Sequence, residues 1–313
     1  MVAGRPQRAL VTGGAGFIGS HVVRALLTQD IPVTVIDNLS VGRPERVPAP
    51  ARLVVGDILD AEAMRDAIQG CDLVLHLAAR VAIRSSFEFA AEDGTINYVG
   101  TASVLRAAAA AKVRRFVYAS TMGVYADSPT SAPLAETHAT VPVAPYGISK
   151  LAGERLVHLM CERDGMSSAA LRLFNTYGSG QQFSPYVGVV TIFVHKTLKG
   201  ETPEIFGDGE QCRDFVHVED VASAFVRVAH SDVTGETYNV GSGSAVTVNK
   251  VFTCVQQAMQ TASKPAYRPA AAGELRNSVA DISRAHRVFG YKPVHDFATS
   301  LPPVVSEIVR GVA

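Results

Sequence analysis

Three glycines at intervals of three residues, Gly13, Gly16 and Gly19, separate the apolar run Ala9-Leu10-Val11-Thr12 from a helical pattern of apolar positions, Phe17, Ile18, Val22, Val23, Leu26 and Leu27. A strand that passes through glycines into a helix narrows the possible folds. Glycine permits the tight turn, and the helix N-terminus then offers backbone N–H groups and a partial positive charge to a pyrophosphate. The next apolar segment, Pro32-Val33-Thr34-Val35-Ile36, ends in Asp37-Asn38, with Asp37 18 residues after Gly19. A carboxylate at this spacing is placed to accept hydrogen bonds from ribose hydroxyls and to repel a 2′-phosphate. The order strand–glycines–helix–strand–acid therefore predicts a dinucleotide site that favours NAD over NADP, formed around Gly13, Gly16, Phe17, Ile18, Asp37 and Asn38. Arg43 slightly weakens that preference.

Further along, apolar runs alternate with helical patterns. The reading predicts strands at 8–12, 32–36, 52–55, 72–76, 114–119 and 168–173, and helices at 16–28, 60–68, 97–111 and 145–163. Alternation of this kind favours a parallel sheet covered on both faces. The expected class is α/β, a Rossmann-type doubly wound parallel sheet followed by a smaller C-terminal α/β substrate lobe. Residues 1–175 would form the cofactor-binding domain and 176–313 the lobe, partly interleaved with it. The strand ends at Asp37, Asp57, His76 and Ser120 would open on one sheet edge, where such folds bind their cofactor. Leu77-Ala78-Ala79 follow His76, and the two alanines are small enough for close approach. After about residue 175 turn signals multiply, as in Tyr177-Gly178-Ser179-Gly180, Phe206-Gly207-Asp208-Gly209 and Val240-Gly241-Ser242-Gly243, with shorter elements expected between them.

Tyr146 and Lys150 stand four apart, on one face of a helix that Pro145 is suited to start. An ammonium beside a phenol stabilises the phenolate, so the tyrosine is expected to titrate below its usual range. A hydroxyl from Thr121 or Ser120 would share the substrate proton with that oxygen. Together these groups can take a proton from an alcohol while a hydride leaves the same carbon.

Charge excludes other classes. Lys and Arg number 29 against 29 Asp and Glu, so neither nucleic acid nor an anionic membrane is an expected partner. Cys71, Cys161, Cys212 and Cys254 lie far apart without metal spacing and read as reduced thiols. No leader-like apolar core opens the chain and no apolar run reaches ~18 residues, so a cytoplasmic protein without a membrane span is expected. No metal site is predicted. His76 reads as structural, His217 and Asp220 as a helix entry, and His21, His195 and Glu154 carry no ligand pattern.

These motifs resemble the extended short-chain dehydrogenase/reductases, and within them the NAD-dependent nucleotide-sugar epimerase/dehydratase family. The resemblance rests on Thr12–Ser20, Asp37-Asn38, Gly56-Asp57, His76–Ala79, Asn97–Thr101, Tyr146–Lys150, Arg172–Gly178, Arg213–Asp220, Tyr238–Gly243, Asp281 and Gly290–Pro293. It implies Asp57, Ile58, Leu77, Ala78, Ala79 and Asn97 as further NAD contacts, with Tyr146 and Lys150 at the nicotinamide ribose. It also implies Thr121, Tyr146 and Lys150, helped by Ser120, as the catalytic set. Family dehydratases resemble Thr-Asp-Glu after the strand, whereas this chain reads Thr121-Met122-Gly123, and neither Met nor Gly carries a proton. The resemblance thus implies 4-epimerisation of a UDP-hexose through a transient 4-keto sugar. UDP-glucuronate epimerisation, another nucleotide-sugar oxidoreductase or dehydratase, and a non-enzymatic NAD sensor remain as alternatives. The substrate contacts it implies are Arg84, Thr121, Asn175, Val189, Phe206, Arg213, Glu274, Arg276 and Ser278. Small Ser278 at the gate for bulk at C2 would admit an N-acetyl group. Family members pair through the helices placed here at 97–111 and 145–163, which implies a homodimer.

Overall fold

The computed structural model describes residues 6–81, 85–128, 130–181, 188–269 and 276–312. Its centre is a seven-stranded sheet made of β1 (Ala9–Thr12), β2 (Val33–Asp37), β3 (Arg52–Val55), β4 (Leu73–His76), β5 (Arg115–Thr121), β6 (Ser167–Leu173) and β10 (Glu236–Val240). The spatial order is β10-β6-β5-β4-β1-β2-β3, and every neighbouring pair is parallel. β1, β2, β4 and β5 are buried along their whole length. Strands covered on both faces read as continuous apolar runs, which is why they were visible in the sequence.

One face carries α1 (Phe17–Leu27) and α7 (Val218–Ala229). Val22, Val23 and Leu26 of the first meet Val221, Phe225 and Val228 of the second over Val11, Val35 and Leu75. The other face carries α2 (Ala61–Ala67), α4 (Thr101–Ala110) and α5 (Pro145–Arg163), which pack Met64, Val104, Leu105, Val157 and Cys161 against Leu10, Val74 and Phe116. Full burial of such a side chain contributes about 1.5–3 kcal/mol.

The helix expected over 97–111 is divided. A short α3 (Ala90–Gly94) leads into one wide π-turn, Thr95–Gly100, before α4 begins. The turn ends at Gly100, which packs closely on the core, since a Cβ there would fall 2.6 Å from Ile58 Cδ1. A wide turn of this type often marks a functional position, and this one carries Asn97.

The remaining strands build the smaller part of the molecule. β7 (Asn175–Tyr177), β9 (Cys212–His217), β11 (Ala245–Thr247) and β13 (Asn277–Ser278) form one sheet, while β8 (Glu204–Phe206) and β12 (Ala266–Arg268) form a two-stranded one. The helices here are longer than the short elements expected. α6 (Val189–Leu198), α8 (Val248–Ala258) and α10 (Phe297–Val312) run 10, 11 and 16 residues and surround a core of Phe193, Phe215, Phe252 and Leu301. α9 (Ser283–Phe289) closes on Gly290 in the left-handed conformation. Among the described residues no helix is long and apolar enough to cross a membrane.

Candidate active site

The carboxyl ends of β1, β2 and β4 meet in one place. Gly13 has φ +70°, and a Cβ on it would lie 2.7 Å from the Ala78 nitrogen, so only glycine lets this turn rest on Leu77-Ala78-Ala79. Gly19 is tighter still, with a Cβ placed 2.1 Å from the Gly13 oxygen. Gly16 caps α1, so Phe17 and Ile18 are first-turn residues whose N–H groups have no acceptor within the helix. Asp37 accepts from Ala15 N–H at 3.0 Å and Leu39 N–H at 2.9 Å, one bond per carboxylate oxygen. Asn38 donates to Asp57 at 2.9 Å. The Ile58 side chain points into the core, 5% exposed, which leaves only its backbone for a cofactor contact.

His76 lies beneath this cluster with its protons assignable. Thr101 donates its hydroxyl to Asn97 O, so it accepts from His76 Nε2–H at 2.9 Å, and Nδ1 then accepts from Thr12 at 2.7 Å. Burial pushes the imidazole down to about 3, so it stays neutral. This is the structural histidine the sequence suggested. Asn97 receives Arg80 N–H at 2.9 Å and donates to Arg80 O and to Ser149 Oγ, both at 3.1 Å. It thereby ties the loop after β4 to the helix that bears Tyr146.

Ser120 and Thr121 end β5, and Tyr146 and Lys150 occupy the first turns of α5. Two glycines let that helix lie close. A Cβ on Gly147 would sit 2.3 Å from Gly123 O, and one on Gly153 would sit 2.3 Å from the Tyr118 hydroxyl. Thr121 accepts from Gly123 N–H at 3.1 Å and acts on the neighbouring Tyr146 phenol. The expected low titration of Tyr146 does not hold in the protein alone. Burial raises the phenol to about 12, with Thr121 acting against it, and lowers Lys150 to about 7. Both groups lose hydration on burial, which disfavours the charged form of each. The Lys150 nitrogen rests over the Tyr118 ring, 4.1 Å from its centre.

Sequence reasoning missed Glu154. It is 3% exposed and accepts the Ser120 hydroxyl proton on Oε1. Arg172 donates to the same carboxylate in bidentate fashion at 2.9 and 2.8 Å. Its signal was a carboxylate one helical turn beyond Lys150, on the same face. Met122 turns into an apolar cluster with Tyr125, Leu134 and Phe174. The two positions after Thr121 thus place a buried thioether and a bare backbone next to the site, with no acid.

Apart from Thr121, the described residues among the implied substrate contacts fall in the smaller part. Arg213 and Ser278 are register partners on β9 and β13. Asn175 donates to Asp214 O at 3.2 Å, and Arg213 to the neighbouring Cys212 O at 2.9 Å. Ser278 is fully buried, its hydroxyl without a hydrogen-bond partner among the described residues. Arg276 forms a bidentate pair with Asp208 at 2.8 and 2.9 Å, which holds that carboxylate down at about 2. Asp208 lies two residues past Phe206, at the end of β8. Val189 opens α6. Arg84 and Glu274 lie outside the described residues.

A second cluster, His217, Glu219 and His295, has potential ligand atoms within 4.8 Å of one another. The two imidazoles stack at 4.1 Å and 26°, so their in-plane lone pairs run side by side and do not converge on one ion. His217 caps α7 and Asp220 accepts Val294 N–H and His295 N–H, which fits the helix entry read from sequence.

Residues 9–241 match the NAD dependent epimerase/dehydratase family. The chain belongs to this family. The UDP-glucose 4-epimerase of Mycolicibacterium smegmatis is 35% identical over 293 residues, which span 92% of this chain and 94% of that protein. The crystal structure of the Thermotoga maritima UDP-glucose 4-epimerase with UDP-glucose superimposes with a TM-score of 0.92 at 33% identity, covering 98% of this chain and 100% of that one. The Thermus thermophilus UDP-glucose 4-epimerase complex with NAD gives a TM-score of 0.89 at 33% identity and the same coverage. The residues present fit the family's cofactor. Each Asp37 oxygen accepts one N–H bond and so keeps capacity for a ribose hydroxyl, and the glycine turn brings bare backbone and a helix N-terminus to the place of a pyrophosphate.

Proposed function

We propose that this protein is a UDP-hexose 4-epimerase acting on UDP-glucose and UDP-galactose, with UDP-N-acetylglucosamine as a further substrate. The observation that carries the reading is the Thr121–Tyr146–Lys150 assembly beside the glycine turn, in a site with no acid at residues 122 and 123. NAD, when bound, would supply reversible hydride chemistry at the sugar carbon, so that no second substrate would be consumed.

The chain's own residues handle the proton. Tyr146 takes it from the sugar 4-hydroxyl, and Thr121 donates to the phenolate oxygen and keeps it aimed at that carbon. Lys150 offers its charge to the phenolate and its N–H groups to the ribose. Tyr146 and Lys150 stand one helical turn apart, and the working state is the one in which the two hold a single proton between them. Gly13, Gly16, Phe17 and Ile18 hold the pyrophosphate; Asp37 and Asn38 hold the adenosine ribose; Asp57, Ile58, Leu77, Ala78, Ala79 and Asn97 line the path between. Asn175, Arg213 and Arg276 anchor the substrate diphosphate, for which a planar guanidinium is suited. Phe206 lies against the uracil, and Val189 and Ser278 complete the pocket, with roles for Arg84 and Glu274 implied by the family resemblance alone.

A homodimer and a cytoplasmic location belong to the same reading. Exposed Tyr98, Val99, Ile148 and Leu159 on the π-turn and α5 support the first, and the four unpaired cysteines support the second. The test is incubation of the purified protein separately with UDP-glucose, UDP-N-acetylglucosamine and UDP-glucuronate, products read by NMR. A C4 epimer without net NADH is the expected result; a dehydrated or decarboxylated sugar would replace the reading.

A further inference from the structure

Ser120, Glu154 and Arg172 form a buried polar line directly behind the catalytic hydroxyls, with relative exposures of 3%, 3% and 6%. Ser120 donates to Glu154, and Arg172 closes the carboxylate from the other side at 2.9 and 2.8 Å. Arg172 in turn lies over the Tyr125 ring at 4.7 Å, and Tyr125 donates to Asn239 at 2.6 Å. A buried carboxylate is expensive unless all its lone pairs are used. This one is supported by a guanidinium and a hydroxyl, and it sits one helical turn from Lys150 on the same helix face.

We propose that Glu154 is a positioning residue of the reaction, fixing Ser120 beneath Thr121 and setting the charge balance of the Tyr146–Lys150 pair. The proposal rests on the assignment of that pair as the proton relay. Lys150 stands one helical turn from Tyr146 on α5, and the groups acting on it are Glu154 on α5, Tyr118 on β5 and the neutral His76 on β4. Asp93 on α3 acts on Tyr146, and Arg172 on β6 partly cancels Glu154. Glu154 is the anion that acts on Lys150 directly, and it favours retention of the pair's proton. Ser120 matters because its donated hydrogen bond spreads the carboxylate charge.

The two partners therefore predict shifts of opposite sign. Glu154→Gln keeps the shape and removes the charge, so the pair gives up its first proton more readily. The acid limb of the kcat profile moves to lower pH by about half a unit, and kcat at the optimum falls about tenfold as Ser120 loosens. Ser120→Ala leaves the carboxylate less compensated and moves the limb to higher pH. The midpoints of the substrate-free enzyme, which the kcat/KM profile reports, shift in the same directions and are read without turnover in the NAD-loaded protein. The probe is the carbon-13 signal of labelled Tyr146, identified by its loss in Tyr146→Phe. An unmoved midpoint in Glu154→Gln, or shifts of the same sign in both variants, overturns the proposal. If Glu154→Gln does not fold, Ser120→Ala decides, an upward shift supporting the proposal and none overturning it. If the native protein epimerises no UDP-hexose, the proposed function fails, while the NMR midpoints still test the role of Glu154.

Discussion

The ammonium of Lys150 rests on the face of Tyr118, 4.1 Å from the ring centre. The ring's negative quadrupole compensates part of the hydration that burial removes, and so holds a charge where the phenol of Tyr146 alone does not. Gly153 makes this arrangement possible, because any side chain there would collide with the Tyr118 hydroxyl.

Tyr118→Phe keeps the ring face and is expected to retain most of the activity. Tyr118→Leu removes it and should lower kcat about tenfold, the size of one desolvated cation–π contact. Equal kcat values for the two variants would show that the ring is only packing.

Tyr146→Phe removes the atom that receives the substrate proton. Turnover should fall by about 10²–10⁴-fold, while NAD binding, followed by calorimetry, stays within a few-fold of the native value. Full activity in this variant would sink the mechanism.

Gly19→Ala places a methyl 2.1 Å from the Gly13 oxygen, whereas Gly16→Ala meets the same atom at 3.1 Å. The first should destabilise the fold by about 1–3 kcal/mol and abolish the gain in melting temperature on adding NAD. The second should unfold close to the native temperature. Matching losses in the two would contradict the packing described.

Ser278→Tyr fills the position beside Arg213 on β13 with a bulky ring. Use of UDP-N-acetylglucosamine should fall at least tenfold relative to UDP-glucose. An unchanged ratio of the two activities, measured side by side, would place the gate elsewhere.

His76 gives stability a definite pH dependence. Its folded value is about 3 against an ordinary 6.5, so below 6.5 the unfolded chain binds a proton that the native protein refuses. Stability is whole above 6.5 and declines toward 3, by about 1.4 kcal/mol per pH unit. Urea unfolding between pH 7 and pH 4 should show this slope, reduced by that amount in His76→Gln. Identical slopes would mean that the ring is protonated in the native state.

Six of the seven strands of the main sheet were legible in the sequence, β1, β2, β4 and β5 because burial on both faces makes them continuous apolar runs, whereas β10 at 236–240 lay among the turn signals of the second half and was not read as a strand. The glycine turn, Asp37, and Tyr146 with Lys150 were legible for a similar reason, since their partners lie within one turn or one strand–helix unit. Glu154 was not. Its partners Ser120 and Arg172 lie 34 and 18 residues away and meet it only once β5, α5 and β6 are side by side. Nor was the titration of Tyr146, because neighbours in sequence do not reveal how much water burial removes. The Arg276–Asp208 pair is still less local, closing over 68 residues.

The seventh strand of the main sheet, β10, comes from residues 236–240 and pairs with β6. Between them the chain has already made β7, β8 and β9 of the other sheets. During synthesis the cofactor half therefore waits with an open β6 edge until more than two-thirds of the chain has been translated. A fragment ending near residue 175 would expose that edge permanently, and should self-associate through it rather than persist as a miniature NAD-binding protein.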